Sequence, residues 1–178
     1  HEVLRVTFAA KDDVPYQVVH PVGNNTLQIE DASAELSGKD LSAAALEYAS
    51  IESATPFDLE KGPLFRGKLV KLADKDHLLA TTIHHAISDG WSVNLLMQEF
   101  IALYGSLSTG TPSPLPELPI QYIDYAAWQR EWLESEVAKE QLDYWKQQLS
   151  GAPPLLRLPT DRPRPLRQTF NGDRFYFT

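Results

Sequence analysis

The first third of the chain alternates between short apolar runs and polar turns, a pattern typical of β-strands. It predicts a strand over residues 1–8, a turn over 11–15 and a second strand over 16–19. Residues 27–31 alternate between apolar and polar side chains, which predicts a third strand. Residues 42–54 are rich in alanine and predict a helix.

The clearest hairpin of the chain lies near its middle. Two apolar runs, residues 64–72 and 77–85, are separated by four polar or small residues. The second run ends in two adjacent histidines. A helix is then predicted from 92 to 104 by apolar residues at helical spacing, with Gly105 as its C-terminal cap.

Proline and helical patterns divide the rest of the chain. Prolines recur among small residues over 105–120, which predicts an extended linker on the surface. Residues 122–149 have helical spacing and predict one long helix or two shorter ones. On that spacing we expect Trp128, Trp132 and Trp145 to belong to the core.

The C-terminal part combines a basic segment with a predicted turn and strand. We favour a solvated loop for the basic segment, and docking of an acidic partner is the functional alternative. The arginines of this segment are Arg157, Arg162, Arg164 and Arg167. Asn171 and Gly172 predict a turn, and residues 174–178 predict a strand. Because both ends resemble strand interiors, we expect the chain to be a piece of a longer protein.

Strands that alternate with helices predict an α/β fold, a two-layer sandwich with a mixed sheet. The length of 178 residues, of which 43% are hydrophobic, fits one globular domain with a core of its own. The absence of cysteine excludes disulfides, cysteine nucleophiles and thiolate metal sites, and it fits a reducing compartment.

The charge and the hydropathy exclude two classes of partner. A net charge of −8 argues against nucleic-acid binding, which needs a dense basic surface. No apolar run approaches the length of a membrane helix, so no membrane partner is expected.

Residues 83–92 are the segment with the strongest candidates for catalytic residues. Neighbouring strand residues point to opposite faces, so one of His84 and His85 is presented to a cleft while the other is held inside. Periodicity does not decide which face is open. Asp89 is placed to orient an imidazole or pair with an arginine, and Gly90 permits a tight turn or close approach of the backbone to substrate.

Plainer explanations fit the same segment. Both histidines fit partly buried side chains satisfied by the backbone, and Asp89 fits the N-cap of the following helix. A metal site is disfavoured, because the spacing is not His-Glu-x-x-His and the two adjacent histidines diverge.

Residues 84–90 resemble the His-His-x-x-x-Asp-Gly motif of the condensation domains of nonribosomal peptide synthetases. Residues 1–8 resemble the family's upstream motif Arg-His-Glu-x-Leu-Arg-Thr-x-Phe from its second position, with Val6 preceding the threonine. Residues 122–128 resemble Tyr-x-Asp-Tyr-Ala-x-Trp. Two further segments are typical of the family, residues 56–59 and 158–165. This ordered set covers nearly the whole chain, whereas the histidine motif alone is shared by a wider acyltransferase superfamily.

The resemblance implies a particular architecture. A complete condensation domain is a pseudo-dimer of two chloramphenicol-acetyltransferase-like halves with a tunnel between them. Residues 1–178 then form a partial domain, most of the N-terminal half. The family's first motif and the second half are not in this sequence, so we expect this fragment alone to be inactive.

The resemblance also implies the activity, which is amide-bond formation between two carrier-bound substrates. The donor is an acyl or peptidyl thioester on phosphopantetheine, and the acceptor is an aminoacyl thioester. The partners are the upstream and downstream peptidyl carrier proteins, within a cytoplasmic multidomain synthetase that includes an adenylation domain. No cofactor is expected to bind this chain directly.

Three residues receive catalytic or substrate-contacting roles by resemblance. His85 faces the tunnel and touches the acceptor amine, as a general base or by positioning the nucleophile. Gly90 brings a backbone N–H near the developing oxyanion. Trp91 is a candidate for the wall of the substrate tunnel.

Three others receive structural roles by the same resemblance. His84 is a structural histidine, and Asp89 holds the motif loop through an arginine. Arg5 is one candidate for that arginine, and the arginine that opens the family's upstream motif is the other.

Two alternatives from different classes remain open. The first is a stand-alone acyltransferase that uses coenzyme A or a polyketide thioester. The second is a non-catalytic, carrier-docking fragment. Within the family, Trp91 and Ser92 favour condensation over epimerization, and a cyclization domain would carry aspartate in place of the first histidines. The motifs lean towards an L-configured donor and an L-configured acceptor.

Overall fold

The computed structural model describes residues 1–23, 27–156 and 158–169, together with 172, 175 and 177. The chain divides into two compact units, His1–Glu131 and Trp132–Thr178. The elements, in chain order, are a 3-10 helix Glu2–Arg5, β1 Val6–Lys11, β2 Val14–Val19, β3 Gln28–Asp31, α1 Leu41–Ala54, β4 Phe65–Lys71, β5 His77–Ile83, α2 Gly90–Thr109, α3 Tyr122–Leu133 and α4 Glu136–Gln148. Within the described ranges, no helix is both long enough and apolar enough to cross a membrane.

The strands confirm the predicted α/β class with a mixed sheet. β3 runs parallel to β4, and β4 runs antiparallel to β5, with Phe65 opposite Ile83 and Lys71 opposite His77. β1 and β2 form a separate antiparallel hairpin, so the five described strands are divided between two sheets.

Two apolar clusters hold the first unit together. One lies between α1 and the three-stranded sheet, and its buried members are Ala32, Leu36, Ala44, Val70 and Leu72. The other joins β1 to the start of β4 and to the histidine segment through buried Val6, Leu64 and Ile87. The second cluster therefore fixes the segment on which the candidate chemistry lies.

The start of the chain differs from the predicted strand over residues 1–8. Glu2–Arg5 is a 3-10 helix, and the strand begins only at Val6. An ion pair of 2.7 Å between Arg5 and Glu2, three residues apart, suits a helical turn and not an extended chain. The first turn is also tighter than predicted, since only Asp12 and Asp13 separate β1 from β2.

The helix predicted over 92–104 is longer in the structure, and the linker is shorter. α2 continues through Gly105 and ends at Gly110, whose φ of 69° is left-handed. The Ser108 and Thr109 hydroxyls donate hydrogen bonds to the Gly105 carbonyl at 2.9 and 3.0 Å. The predicted cap at Gly105, and the linker over its first five residues, are therefore wrong.

Residues 122–149 form two helices, of which Ser135 caps the second by accepting a hydrogen bond from the Ala138 N–H at 3.3 Å. Trp128 and Trp145 are 54% and 57% exposed, so their predicted place in the core is wrong, whereas Trp132 is half-buried. Helical spacing identifies a shared face but not what covers it.

The basic segment fits the solvated loop favoured above, because Arg162, Arg164 and Arg167 lie exposed in irregular chain. Arg157, Asn171 and most of the strand predicted over 174–178 lie outside the described residues.

Candidate active site

The histidine motif forms a short connection between β5 and α2. β5 ends at Ile83 and α2 begins at Gly90, which leaves six residues, 84–89, here called the motif loop. Ile87 is buried beside Val6 and Leu64 and anchors this loop in the core. The His84 N–H donates to the Leu64 carbonyl at 2.9 Å, which extends the pairing of the two strands by one residue.

His84 organises the inner side of the motif loop. Its Nδ1 accepts a hydrogen bond from the Ala86 N–H at 3.0 Å, which places the ring proton of the neutral imidazole on Nε2. Its carbonyl accepts from the Ile87 N–H at 3.0 Å and from the Ser88 hydroxyl at 3.3 Å. His84 is thus half-buried and held through both its ring and its backbone.

His85 is exposed and lines a cavity of about 360 Å³ within the first unit. Most of the other residues that line the cavity are apolar, and they include Val3, Leu4, Ile83, Trp91, Leu95 and Leu96. No side-chain hydrogen bond engages the His85 ring among the described residues. The imidazole therefore faces the cavity and is available to a ligand there.

Asp89 is the N-cap of α2. Its carboxylate accepts from the Ser92 N–H at 2.8 Å and from the Ser92 hydroxyl at 2.7 Å, and its own N–H donates to the Ser92 oxygen at 3.3 Å. This reciprocal pair is a capping box. The Ser92 N–H, followed by the Ser92 hydroxyl, holds the pKa of Asp89 below its ordinary value, and the Trp91 N–H and the nearby His85 act in the same direction.

Arg5, one of the two candidates for the arginine that pairs with Asp89, has other partners in the structure. The Arg5 guanidinium donates to Glu2 at 2.7 Å and to the carbonyl of His20. Arg5 lies at the end of the 3-10 helix, where Glu2 is one turn away, while Asp89 is engaged by its own helix. Arg5 therefore ties the first turn to the end of β2.

Gly90 and Trp91 form the start of α2 beside the motif loop. A Cβ built on Gly90 would meet no atom within 4 Å, so the space next to this residue is open. Gly90 does not itself line the cavity, and its contact with an oxyanion stays a prediction. Trp91 is 83% exposed and does line the cavity.

The structure adds residues to which the sequence assigned no role. His1 lines the cavity, and its Nε2 lies 2.6 Å from the Glu99 carboxylate on α2. The Glu2 N–H donates to the side-chain oxygen of Gln121 at 3.0 Å, which brings the start of α3 and Tyr122 to the same cavity. The signal was present, because His1 and Tyr122 open two of the segments that resemble family motifs.

Metal ligation finds no support in the geometry. Across the described ranges, no group of three or more histidine, cysteine, aspartate or glutamate side chains is placed to hold a metal ion. The cavity itself presents an exposed imidazole beside apolar walls and the N-terminus of α2.

Solved structures share this arrangement of elements. The X-domain from teicoplanin biosynthesis is similar with a TM-score of 0.75 and 27% identity, over 93% of this chain and 36% of that one. The epimerization domain from the third module of tyrocidine synthetase B is similar with a TM-score of 0.73 and 26% identity, over 90% of this chain and 36% of that one. The starter condensation domain of rhizomide synthetase has a TM-score of 0.73 and 23% identity, over 86% of this chain and 36% of that one. The fold and the site thus define a condensation-type α/β domain.

The family profile described as Condensation domain matches residues 1–178, so the chain belongs to the condensation domain family, as its motifs predicted. A linear gramicidin synthase from Brevibacillus parabrevis is 45% identical over 172 residues, which are 97% of this chain and 2% of that protein. Phosphinothricin tripeptide synthetase PhsC of Streptomyces viridochromogenes is 44% identical over 177 residues, which are 99% of this chain and 16% of that protein. The chain therefore spans a small part of the curated relatives that it matches.

Proposed function

We propose that this chain contributes the histidine-bearing half of an enzyme that forms amide bonds in nonribosomal peptide synthesis. The observation that carries the proposal is the exposed His85, presented into an apolar cavity by a motif loop that is anchored by the buried Ile87 and by the capping box at Asp89. Membership of the condensation domain family supports the same reaction class.

The substrates in this proposal are two thioesters on phosphopantetheine arms of carrier proteins, one on each side of the domain. The names of the relatives, synthases and synthetases much longer than this chain, support a multidomain enzyme with carrier and adenylation domains. We place residues 1–178 in the N-terminal part of the domain; that the chain covers about a third of the solved condensation-type structures supports a partial domain. The lack of cysteine supports a cytoplasmic location.

In the proposed reaction, the acceptor α-amine attacks the donor carbonyl carbon. A C–N bond forms, the C–S bond breaks, and the amine loses a proton as the thiolate of the donor arm leaves and is protonated. A free α-amine has a pKa near 8 and a thioester is already reactive, so the amine needs little activation. His85 therefore acts first by positioning the amine and second as a partial base, and proximity supplies most of the acceleration.

The test is a transfer assay on the complete domain that contains this chain. Loaded donor and acceptor carrier proteins are mixed with enzyme, and intact-protein mass spectrometry follows the acyl group onto the acceptor. We expect His85→Ala to reduce the transfer rate by about 10²-fold or more. The control is His77→Ala, the same substitution at an exposed position of β5 that does not line the cavity, and it should leave the rate unchanged.

Two outcomes would count against the proposal. A His85→Ala domain that transfers at the wild-type rate removes His85 from the reaction. A folded wild-type domain that transfers no acyl group, with several loaded carriers, favours a different acyl acceptor or a docking role.

A further inference from the structure

The segment 56–59 is typical of the family, yet the proposed reaction gives it no role. In the structure its aromatic residue, Phe57, lies between two groups. The Arg66 guanidinium carbon lies 3.9 Å from the centroid of the Phe57 ring. On another side, the His84 ring meets Phe57 edge to face, with centroids 5.5 Å apart and planes at 86°. We call Arg66, Phe57 and His84 the Phe57 stack.

Arg66 is the fixed end of this stack. Its Nε donates to the Glu52 carboxylate at 2.7 Å, and its two terminal nitrogens donate to the carbonyls of Thr55 at 2.9 Å, Glu52 at 3.2 Å and Pro56 at 3.3 Å. These carbonyls lie at the end of α1, where no further turn of helix satisfies them. A planar guanidinium with four acceptors has little freedom to rotate.

Phe57 connects the fixed guanidinium of Arg66 to the ring of His84. A cation over the face of an aromatic ring is attracted by the ring quadrupole, and an edge-to-face neighbour fixes the ring in a second direction. The loop around Phe57 is closed as well, because Asp58 accepts from the Glu60 and Lys61 N–H groups, each at 3.0 Å. The ring of Phe57 is therefore held on two sides, and the turn that follows Phe57 is closed.

His84 is the only member of the stack within the motif loop. Its ring is bonded to the Ala86 N–H, and its carbonyl is bonded to Ile87 and Ser88. These bonds enclose the peptide units on both sides of His85. A rotation of the His84 ring would break the bond to Ala86 and release the residue that follows His85.

We propose that Phe57 and Arg66 are positioning residues for His85, and that they act by holding the His84 ring in one orientation and one tautomer. This inference rests on the proposed function for its kinetic consequence. Its structural part, the fixed His84 ring, stands independently of the reaction.

The key variant is Phe57→Leu in the complete domain, which keeps an apolar side chain but removes the aromatic faces. We expect the maximal transfer rate to fall by at least about tenfold while the apparent KM for the loaded acceptor carrier stays within about twofold. Phe57→Tyr keeps the ring and should restore the rate. Phe8→Leu is the matched control, because Phe8 packs on the same apolar cluster and has no ring contact with His84.

The second readout is the ring nitrogen spectrum of His84 in histidine-labelled domain. In wild type and in Phe8→Leu, Nδ1 should give the signal of an unprotonated nitrogen, as its bond from Ala86 requires. In Phe57→Leu, this signal should move towards that of a mixture of tautomers. Arg66→Lys keeps the charge but not the fork of donors, so it should show the same change in the His84 spectrum. It replaces Phe57→Leu as the test variant if Phe57→Leu does not fold.

The two readouts separate the inference from the proposed function. If Phe57→Leu matches Phe8→Leu in rate and leaves the His84 spectrum unchanged, the positioning role is wrong. If the spectrum changes but the rate does not, His84 is held by the stack without consequence for His85, and the inference is overturned as well. If wild type transfers nothing, the proposed function fails, and the spectra alone decide whether the stack fixes the His84 ring.

Discussion

Asp89 has a role that the geometry defines at the scale of a single residue. Its carboxylate accepts two hydrogen bonds from Ser92, one from the N–H and one from the hydroxyl. Both donors favour the charged carboxylate, which is why the pKa of Asp89 lies below its ordinary value. The capping role considered in the sequence analysis therefore describes Asp89 better than an ion pair with Arg5.

This lowered pKa predicts a pH-dependent stability for the domain that contains the chain. We expect Asp89→Ala to lower the free energy of unfolding at pH 7, and Asp89→Asn to lower it less, because an amide oxygen still accepts from Ser92. The advantage of wild type over Asp89→Asn is fully present above the ordinary pKa of about 3.9 and is lost as pH falls through the lower folded-state pKa.

Urea unfolding of wild type and of Asp89→Asn, at pH 7 and near pH 3, measures the difference in their free energies of unfolding. The gap between wild type and Asp89→Asn should shrink at the acidic pH. A gap of equal size at both pH values would mean that the charge of Asp89 does not contribute to the cap.

The residues of the site were predictable in proportion to how local their contacts are. His84, His85, Asp89 and Gly90 belong to one short segment, and its cap and turn follow from residues within four positions. His1 and Glu99 are 98 residues apart, and Glu2 and Gln121 are 119 apart. Nothing in the local pattern of either segment encodes the other, so only the tertiary fold reveals these pairs.

At the scale of elements, α2 shows how a glycine is used differently at two positions of one helix. Gly105 lies inside the helix, whereas Gly110 ends it with a left-handed φ of 69°. The Gly110 N–H donates to the Leu107 carbonyl at 3.2 Å, and the Thr111 N–H donates to the Ser106 carbonyl at 2.9 Å, which is a Schellman motif. A Cβ added at either glycine would meet no atom within 4 Å, so backbone conformation alone decides the effect of an alanine.

The two alanine substitutions are therefore expected to have opposite effects on stability. Gly105→Ala should raise the free energy of unfolding by about 1 kcal/mol, because alanine favours the helix interior. Gly110→Ala should lower it by about 1 kcal/mol, because an L side chain is disfavoured at positive φ. Thermal or urea unfolding of the domain measures both, and a shift of the same sign in both variants would show that α2 does not end at Gly110.

The elements themselves were largely predictable, and their ends were not. The hairpin predicted over 64–72 and 77–85 is present as Phe65–Lys71 and His77–Ile83. The sequence pattern predicts a cap at Gly105 because glycine is typical of helix ends. Glycine also tolerates helical φ, however, and the side chains beyond it are compatible with a helix, so the pattern did not determine which glycine ends α2.

At the scale of the whole molecule, the chain leaves much apolar surface in contact with solvent. On α2 alone, Ile101, Tyr104 and Leu107 are 65%, 68% and 76% exposed. Surface of this kind is typical of an interface that the rest of a domain covers.

We therefore expect the 178-residue chain, purified alone, to self-associate and to bind a dye that reports exposed apolar surface. The complete domain should elute as a single species and bind little dye, since its remaining part covers these residues. Size-exclusion chromatography with light scattering, together with dye fluorescence, compares the two proteins. A monomeric chain that binds no dye would instead support an independent module and weaken the assignment of residues 1–178 to half of a domain.

The double anchoring of the motif loop has a consequence for the entropy of substrate binding. The buried Ile87 and the capping box at Asp89 order this loop when the protein folds. The conformational entropy of residues 84–89 is thus lost before a substrate arrives, at about 1–2 kcal/mol for each backbone residue. In the proposed reaction, an incoming amine would meet an imidazole whose backbone support is already fixed, so its binding free energy would not be spent on ordering the chain that carries His85.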